Sequence, residues 1–537
     1  MGAEHVQVWT HGRELWLQPP TGCIECAREW RLHDWSRTEP AVHSTLYRPL
    51  TEAHGGFVAG FDAQSARRID VLTGMATDHV FSAHPNCRAH GVEAGRQGRS
   101  AAANLLRPSE MGERLRRLGL DELERNLAGL VDTHLGQVRR IDDFRSGDPM
   151  PGAAAQLRPI GGPGTSEHGY GRSGRAHTDR VVALAEALER RAGFRADRCV
   201  DVVTATRNEL GAEAMDPTGV VLPDQATTMA RYVRYSDDAA YDWVWGWSAR
   251  RKGPVLVPKQ LVYFGETSPL GGRFAYEISN GCAAGSSVAE ATLFGILEVI
   301  ERDAFLTSWH SGRPVSLIAD AALDEWSRGV VTRFAAEGVE TRLLDIGCGL
   351  PGTAVAAEML CRDGPFLPVL AYAAASNPDP TAAIRSSLQE VAGLMRRVEE
   401  PERLRREEAA QALLAMPSLV KSMHEHSAQG DAPQSLDDLR FRLSDEAPIL
   451  PATYGEGLDG AGILGAYIDN ILDAGFDVIV CDLSYSPVRE CGLHCVKVLI
   501  PGLHSMTFGH DTARLSPSRL GGFAPQSSWR LRPHPFP

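Results

Sequence analysis

The sequence predicts an α+β protein with a larger catalytic domain over residues 146–537 and a smaller N-terminal domain over residues 1–145. Three observations predict it. Helical and strand-like stretches alternate from about residue 145 to the end. The segment 144–178 is rich in Gly, Pro, Ser and Arg, which marks a linker or a loop that handles phosphate. Ahead of it stand Cys23-Ile-Glu-Cys26 and Cys87-Arg-Ala-His90, two ligand pairs that together offer a tetrahedral Cys₃His zinc set.

Taken in order, residues 1 to about 100 read as short strands and turns around a cysteine knuckle. Residues 109–140 read as helical, with Asp121 as a cap ahead of Leu123, Leu127, Leu130 and Val131. Strands are expected at 255–264, 342–348, 366–375 and 477–484. A charged helix after Glu399 reads as a solvated surface element, and 427–435 as a mobile loop. The last 15 residues, FAPQSSWRLRPHPFP, suit no regular element.

Composition narrows the function. A net charge of -13 argues against a generic nucleic-acid binder. Only Lys252, Lys259, Lys421 and Lys497 are lysines; the other basic residues are arginine. The start MGAEHVQVWTHGRELW lacks a basic-then-apolar signal, and no 18-residue apolar run offers a membrane span. Ten cysteines are too sparse for a disulfide scaffold, so a cytoplasmic location with thiols free or metal-bound is expected.

The chemistry is carried by a repeated Glu-x-x-Glu-Arg: Glu186, Glu189 and Arg190, then Glu298, Glu301 and Arg302. Spacings of three and four place these groups on one side of a helix. Leu293, Leu297, Ile300 and Ala304 form an apolar stripe beside the second set. Acids and guanidinium groups concentrated in this way suit a divalent cation on a polyphosphate. A single copy is common on solvated helices, but here each copy follows small residues, Gly171–Thr178 and Ser279–Ser287, that let backbone amides approach phosphate. Ser287-Val-Ala-Glu290 also has the form of a capping box.

SNGCAAGSSVAEATLFGILEVIERDAF strongly resembles the signature of the YcaO superfamily, whose members use ATP. SGRAHTDRVVALAEALERRAG, IRSSLQEVAG and CDLSYSPVRECGLHCVKVLIPGL resemble further segments of that family in the right order, over roughly residues 150–537. The chain ends Pro533-His-Pro535-Phe-Pro537, similar to the Pro-x-Pro-x-Pro terminus of the azoline-forming members; a disordered tail is the plainer reading. The resemblance implies a YcaO-type domain that phosphorylates a backbone amide oxygen with ATP and Mg²⁺ in making a peptide natural product, such as an antibiotic. It also implies that the three prolines reach into the active site as catalytic residues. Glu186, Glu189, Glu290, Glu298, Glu301 and Glu390 match its Mg²⁺ and nucleotide positions, with Mg²⁺ at Glu189, Glu298 and Glu301. Arg190 and Arg302 match its phosphate-facing arginines, and Arg175, Asn280 and Ser286 fall in its nucleotide loops. Arg175 stands where a lysine is usual, and Ser286 where an asparagine is.

The cysteine pairs resemble the knuckles of a ubiquitin-activating-enzyme-like domain, here short at its front and with His90 in place of a cysteine. That implies a separate protein that binds the leader of a precursor peptide and docks on residues 1–145. A dehydrogenase is expected in the same pathway and a homodimer is possible. No nucleic-acid or membrane partner is expected. Thioamide or macroamidine formation and a non-catalytic scaffold are the rival functions.

Overall fold

The computed structural model describes residues 7–11, 14–18, 41–42, 65–70 and 72–80, the single positions 26, 82, 84 and 196, and then 97–112, 115–144, 150–158, 167–194, 200–220, 232–265, 269–362, 364–521 and 532–536. Helices and antiparallel sheets are mixed throughout, as expected of an α+β chain.

Gln7–His11, Glu14–Gln18, Ala41–Val42, Ser65–Asp70 and Ala76–Val80 form one antiparallel sheet. The helix expected over 109–140 is shorter: it spans Leu120–Leu127, Gly119 rather than Asp121 is its cap, and Val138–Phe144 is a strand. Gly136 explains the reversal, because a Cβ there would sit 2.2 Å from the Asp132 nitrogen. Only glycine closes that turn. The boundary expected near 145 falls between two paired strands, Val138–Phe144 and Gly152–Leu157, which His168–Gly171 completes as a three-stranded sheet. Leu123, Leu127 and Leu130 share a core with Val181, Leu184 and Leu188 of helix α1, Ala176–Phe194, which lies on that sheet.

The long helix α2, Val288–Ser311, packs against two sheets at once. One is six-stranded and contains Cys282–Gly285 and His494–Leu499; the other is four-stranded and ends in the edge strand Leu370–Asn377. Helix α3, Pro380–Leu394, covers the opposite face of the four-stranded sheet. Ala356, Tyr372 and Ala374 pack toward α2, and Ala357, Ala371 and Ala373 toward α3, as strand alternation requires. The two helices therefore approach each other around the edge strand.

The apolar stripe expected on α2 is too narrow a description. The helix is buried on every side, and only Phe294, Glu298, Glu301 and Arg302 keep partial exposure. A helix buried all round belongs in a core, and the partial exposure of Glu298, Glu301 and Arg302 makes them the candidates for a site.

Three further expectations are corrected. The stretch 255–264 is a strand, Gly253–Pro258, followed by a helical turn, Lys259–Val262. The stretch 366–375 is two strands, Phe366–Leu367 and Leu370–Asn377. The stretch 427–435 is not a loose loop: the helix Met423–Ala428 leads into it, and Gln429, Asp431 and Ser435 are buried. The exposed charged helix is present as Glu400–Ala415. Among the described residues no helix is long and apolar enough to cross a membrane.

Candidate active site

Both Glu-x-x-Glu-Arg sets converge. On α1, Glu186 accepts the Tyr170 N–H at 2.6 Å and pairs with Arg190 at 2.8 Å; Arg190 also lies 3.7 Å from Glu167. Glu189 reaches toward α2, accepts a backbone N–H from Ala284 and feels the charge of Glu298. On α2, Arg302 stands between Glu298, 3.8 Å away, and Glu301, 3.3 Å away. From α3, Glu390 adds a carboxylate within electrostatic range of Arg302 and Arg172.

The electrostatics mark an excess of negative charge. Enclosure by protein pushes the Glu189 carboxyl well up, and repulsion from Glu298 and Glu186 adds to it. Glu298 is raised to about 7, first by enclosure and then by Glu390 and Glu186, against the pull of Arg302 and Lys497. Enclosure also raises Glu301, with Glu390 and Glu298 adding to it. Carboxylates forced together in this way gain from a hard cation, and their oxygens are Mg²⁺ donors. Arg302 Nη1 is buried and lies 3.3 Å from Glu301 without forming a hydrogen bond to it. The donor set thus fits Mg²⁺ with a polyphosphate. Among the described residues no three such side chains are yet gathered tightly enough to hold a metal. The two arginines stand among the acids.

The other expected residues precede or open α1 and α2. The glycine-rich lead-in to α2 is not a free loop but the strand Cys282–Gly285, paired with His494–Lys497. Ser287 caps α2 by accepting the Glu290 N–H at 3.1 Å. The Glu290 carboxylate accepts the Arg117 N–H at 3.0 Å and the Ser286 hydroxyl, so it ties the segment before the helix Leu120–Leu127 to α2. Ser286 accepts the Leu118 N–H at 3.1 Å. Asn280 donates to the Met506 carbonyl at 2.8 Å, and its buried Oδ1 has no partner. Arg175 is exposed just before α1, at a turn in which Ser173 donates its hydroxyl to Asp179 at 2.6 Å.

Residues 532–536 pack against the fold. Pro533 and Pro535 are buried, and Phe536 packs against Phe305 at 4.7 Å between ring centroids and under Arg302 at 4.5 Å. The reading of a disordered tail fails for 533–536; Pro537 lies outside the described residues. Of the zinc set, Cys23, Cys87 and His90 lie outside them too, and buried Cys26 accepts the His84 N–H at 3.2 Å.

Two cations were not singled out from sequence. Arg172 stacks on Tyr170 at 5.1 Å and faces Glu390. Lys497, fully buried beneath Glu298, donates to Glu277 at 3.1 Å, and Arg514 donates to the same carboxylate at 2.7 Å. The signal for Lys497 was present: a charge alternating with apolar residues in CVKVLIP.

The fold has relatives among known proteins. An uncharacterized protein of Methanothermobacter thermautotrophicus is 24% identical over 429 residues, spanning 78% of this chain and 97% of its own length. A solved heterocyclase in complex with substrate and cofactor superposes with a TM-score of 0.70 at 18% identity, covering 95% of this chain and 76% of its own. The heterocyclase TruD gives 0.63 at 18% identity over 98% and 72%. The E. coli microcin synthetase McbBCD complex with pro-MccB17 bound gives 0.51 at 15% over 74% and 96%. The family described as YcaO cyclodehydratase, ATP- and Mg²⁺-binding, matches residues 170–504, which carry both Glu-x-x-Glu-Arg sets and Glu390, and the chain belongs to that family.

Proposed function

We propose that this chain is an azoline-forming cyclodehydratase acting on Cys, Ser or Thr of a ribosomally made precursor peptide. The observation that carries the reading is the meeting of the acid cluster with the proline-rich segment 532–536 at Arg302. The heterocyclase fold of two structural relatives supports ring formation as the outcome.

In this reading the side-chain thiol or hydroxyl attacks the preceding amide carbonyl carbon. The resulting oxyanion takes the γ-phosphoryl group of ATP, leaving ADP. Elimination of phosphate then gives a thiazoline or oxazoline, so one ATP is hydrolysed and one water lost from the peptide per ring. Amide oxygen leaves poorly until it is phosphorylated, so the protein's task is positioning and charge neutralisation. Glu189, Glu298 and Glu301 would hold Mg²⁺, which would neutralise phosphate charge when bound. Arg302 and Arg190 would face the phosphates. Glu186, Glu390, Arg175, Asn280, Ser286 and Glu290 complete the nucleotide environment, the last through the segment it ties down. Pro533, Pro535 and Pro537 would order the end of the chain beside the reacting amide.

A partner that binds the precursor's leader would dock on residues 1–145, with zinc at Cys23, Cys26, Cys87 and His90, and a dehydrogenase would oxidise the rings. The test is mass spectrometry of a candidate precursor incubated with the chain, ATP, Mg²⁺ and partner. Loss of one water per ring supports the proposal. An oxygen-to-sulfur exchange in the presence of sulfide would point to thioamide formation, and a ring closed through the N-terminal amine to a macroamidine; either result overturns it.

A further inference from the structure

The tail is held through its carbonyls. The Arg532 carbonyl accepts from Trp309 Nε1 at 3.3 Å, the Pro533 carbonyl from Gln429 Nε2 at 3.4 Å, and the His534 carbonyl from His426 Nδ1 at 2.7 Å. Prolines at 533 and 535 have no N–H to offer, so an extended proline-rich segment is gripped mainly by donors aimed at its carbonyls and by surfaces for its rings. Three consecutive carbonyls meet three side-chain donors from two separate parts of the fold, α2 and the 423–431 segment.

His426 is the most constrained of the three. Its Nε2 accepts the Gly509 N–H at 2.8 Å while its Nδ1 serves the tail. Only the neutral imidazole with hydrogen on Nδ1 satisfies both. Its ring lies 4.3 Å from that of His534, whose Nε2 lies 3.1 Å from the Thr507 carbonyl. The dimensions agree with a tail laid along α2. From Trp309 back to Arg302 is about 10 Å of helix; from residue 532 to 536 is about 12 Å of extended chain. Phe536 therefore arrives at Arg302 because Arg532 is fixed at Trp309.

We propose that Trp309, Gln429 and His426 form a receptor for the C-terminal tail, and that His426 is a positioning residue that sets where the chain end meets the acid cluster. The positioning part rests on the azoline reading above; the receptor part does not.

The test compares His426→Ala and His426→Asn in the full chain and in a chain ending at Arg532. Hydrogen exchange at the His534 and Phe536 amides is the readout that needs no activity, and ring formation with a precursor peptide is the second. In His426→Ala the tail amides lose protection and turnover falls about tenfold with KM for ATP little changed. Asn, whose amide can donate as Nδ1 does, restores most of both. In the chain ending at Arg532, His426→Ala lowers turnover no further, because the receptor has nothing to hold. Unchanged tail exchange in folded His426→Ala overturns the receptor. Opened exchange with unchanged turnover, or an equal loss in the shortened chain, overturns the positioning role. Absence of ring formation in every variant counts against the azoline reading and leaves the exchange result to decide the receptor.

Discussion

Arg302 meets two parts of the molecule at once: its guanidinium carbon lies 4.5 Å from the ring centroid of Phe536, and its Nη1 lies 3.3 Å from Glu301. A residue of the acid cluster is thereby a wall of the tail's binding groove. Any change of charge at α2 is felt at the chain end, and any displacement of the tail uncovers an arginine.

The acids come first. Glu301→Ala or Glu189→Ala should cut phosphate release by about 100-fold or more, since each removes an oxygen donor from the cation site. Melting should change little, because each removes a carboxylate that its neighbours repel but also a partner, the Ala284 N–H for Glu189 and Arg302 with the Ser376 N–H for Glu301. Phosphate release and thermal melting on the same samples decide it. Wild-type turnover with normal melting would remove these residues from the metal site.

Deleting Pro533 to Pro537 separates function from fold. Phe536 is 2% exposed, so its loss should cost about 2 kcal/mol of burial. In a chain of this size that is a shift of a few degrees in a single melting transition. Ring formation should fall about 100-fold. An unchanged rate would reduce the tail to a packing element.

How far the sequence discloses the site depends on the distance over which each residue is recruited. Glu298, Glu301 and Arg302 are legible because one helix turn gathers them. Burial of α2 on every side is not, since it follows from two sheets that close on it from far along the chain. Glu290 misleads for the same reason: the pattern Ser287-x-x-Glu290 is local, but its carboxylate is taken by Arg117, 173 positions away. His426 and Gln429 carried no sequence signal at all, because their partners are carbonyls more than 100 positions later. The run 427–435 looked loose from its Ser, Gly and Pro content, but Arg406, far off in the sequence, holds Asp431 at 2.9 Å and Gln429 reaches the Pro533 carbonyl.

Gly281 tests the strand that replaces the expected phosphate loop. Its φ is +69°, and a Cβ would lie 2.2 Å from the Val498 carbonyl oxygen. Its own carbonyl accepts the Val498 N–H at 2.7 Å. Gly281→Ala should therefore destabilise the chain by at least about 2 kcal/mol, read from denaturant midpoints. A variant as stable as the wild type would show that the turn relaxes at no cost.

Zinc can be settled by content. About one zinc per chain is expected, lost in Cys23→Ser. Cys26 already accepts an N–H from His84, the kind of contact that steadies a metal-bound thiolate. Purified wild-type protein without zinc, folded normally, would exclude the knuckle.

The last prediction concerns acid. Burial lowers His426 and His504 to about 4 from the ordinary 6.5. Glu425 and the His534 carbonyl pull His426 the other way, and Asp303 does so for His504, but burial prevails. A base depressed by folding binds its proton more readily in the unfolded chain, so its stabilising effect is complete above about 6.5 and is lost as the pH falls toward 4. Each imidazole accounts for on the order of 3 kcal/mol over that window. Glu298, raised to about 7, has the opposite slope: its effect is complete below the ordinary carboxylate range and is lost as the pH rises through about 7. Melting curves from pH 4 to 7 should therefore show less loss toward acid in His426→Asn than in the wild type, and less loss toward neutral pH in Glu298→Gln. If His426→Asn keeps the full acid slope, protonation of His426 is not what loosens the tail.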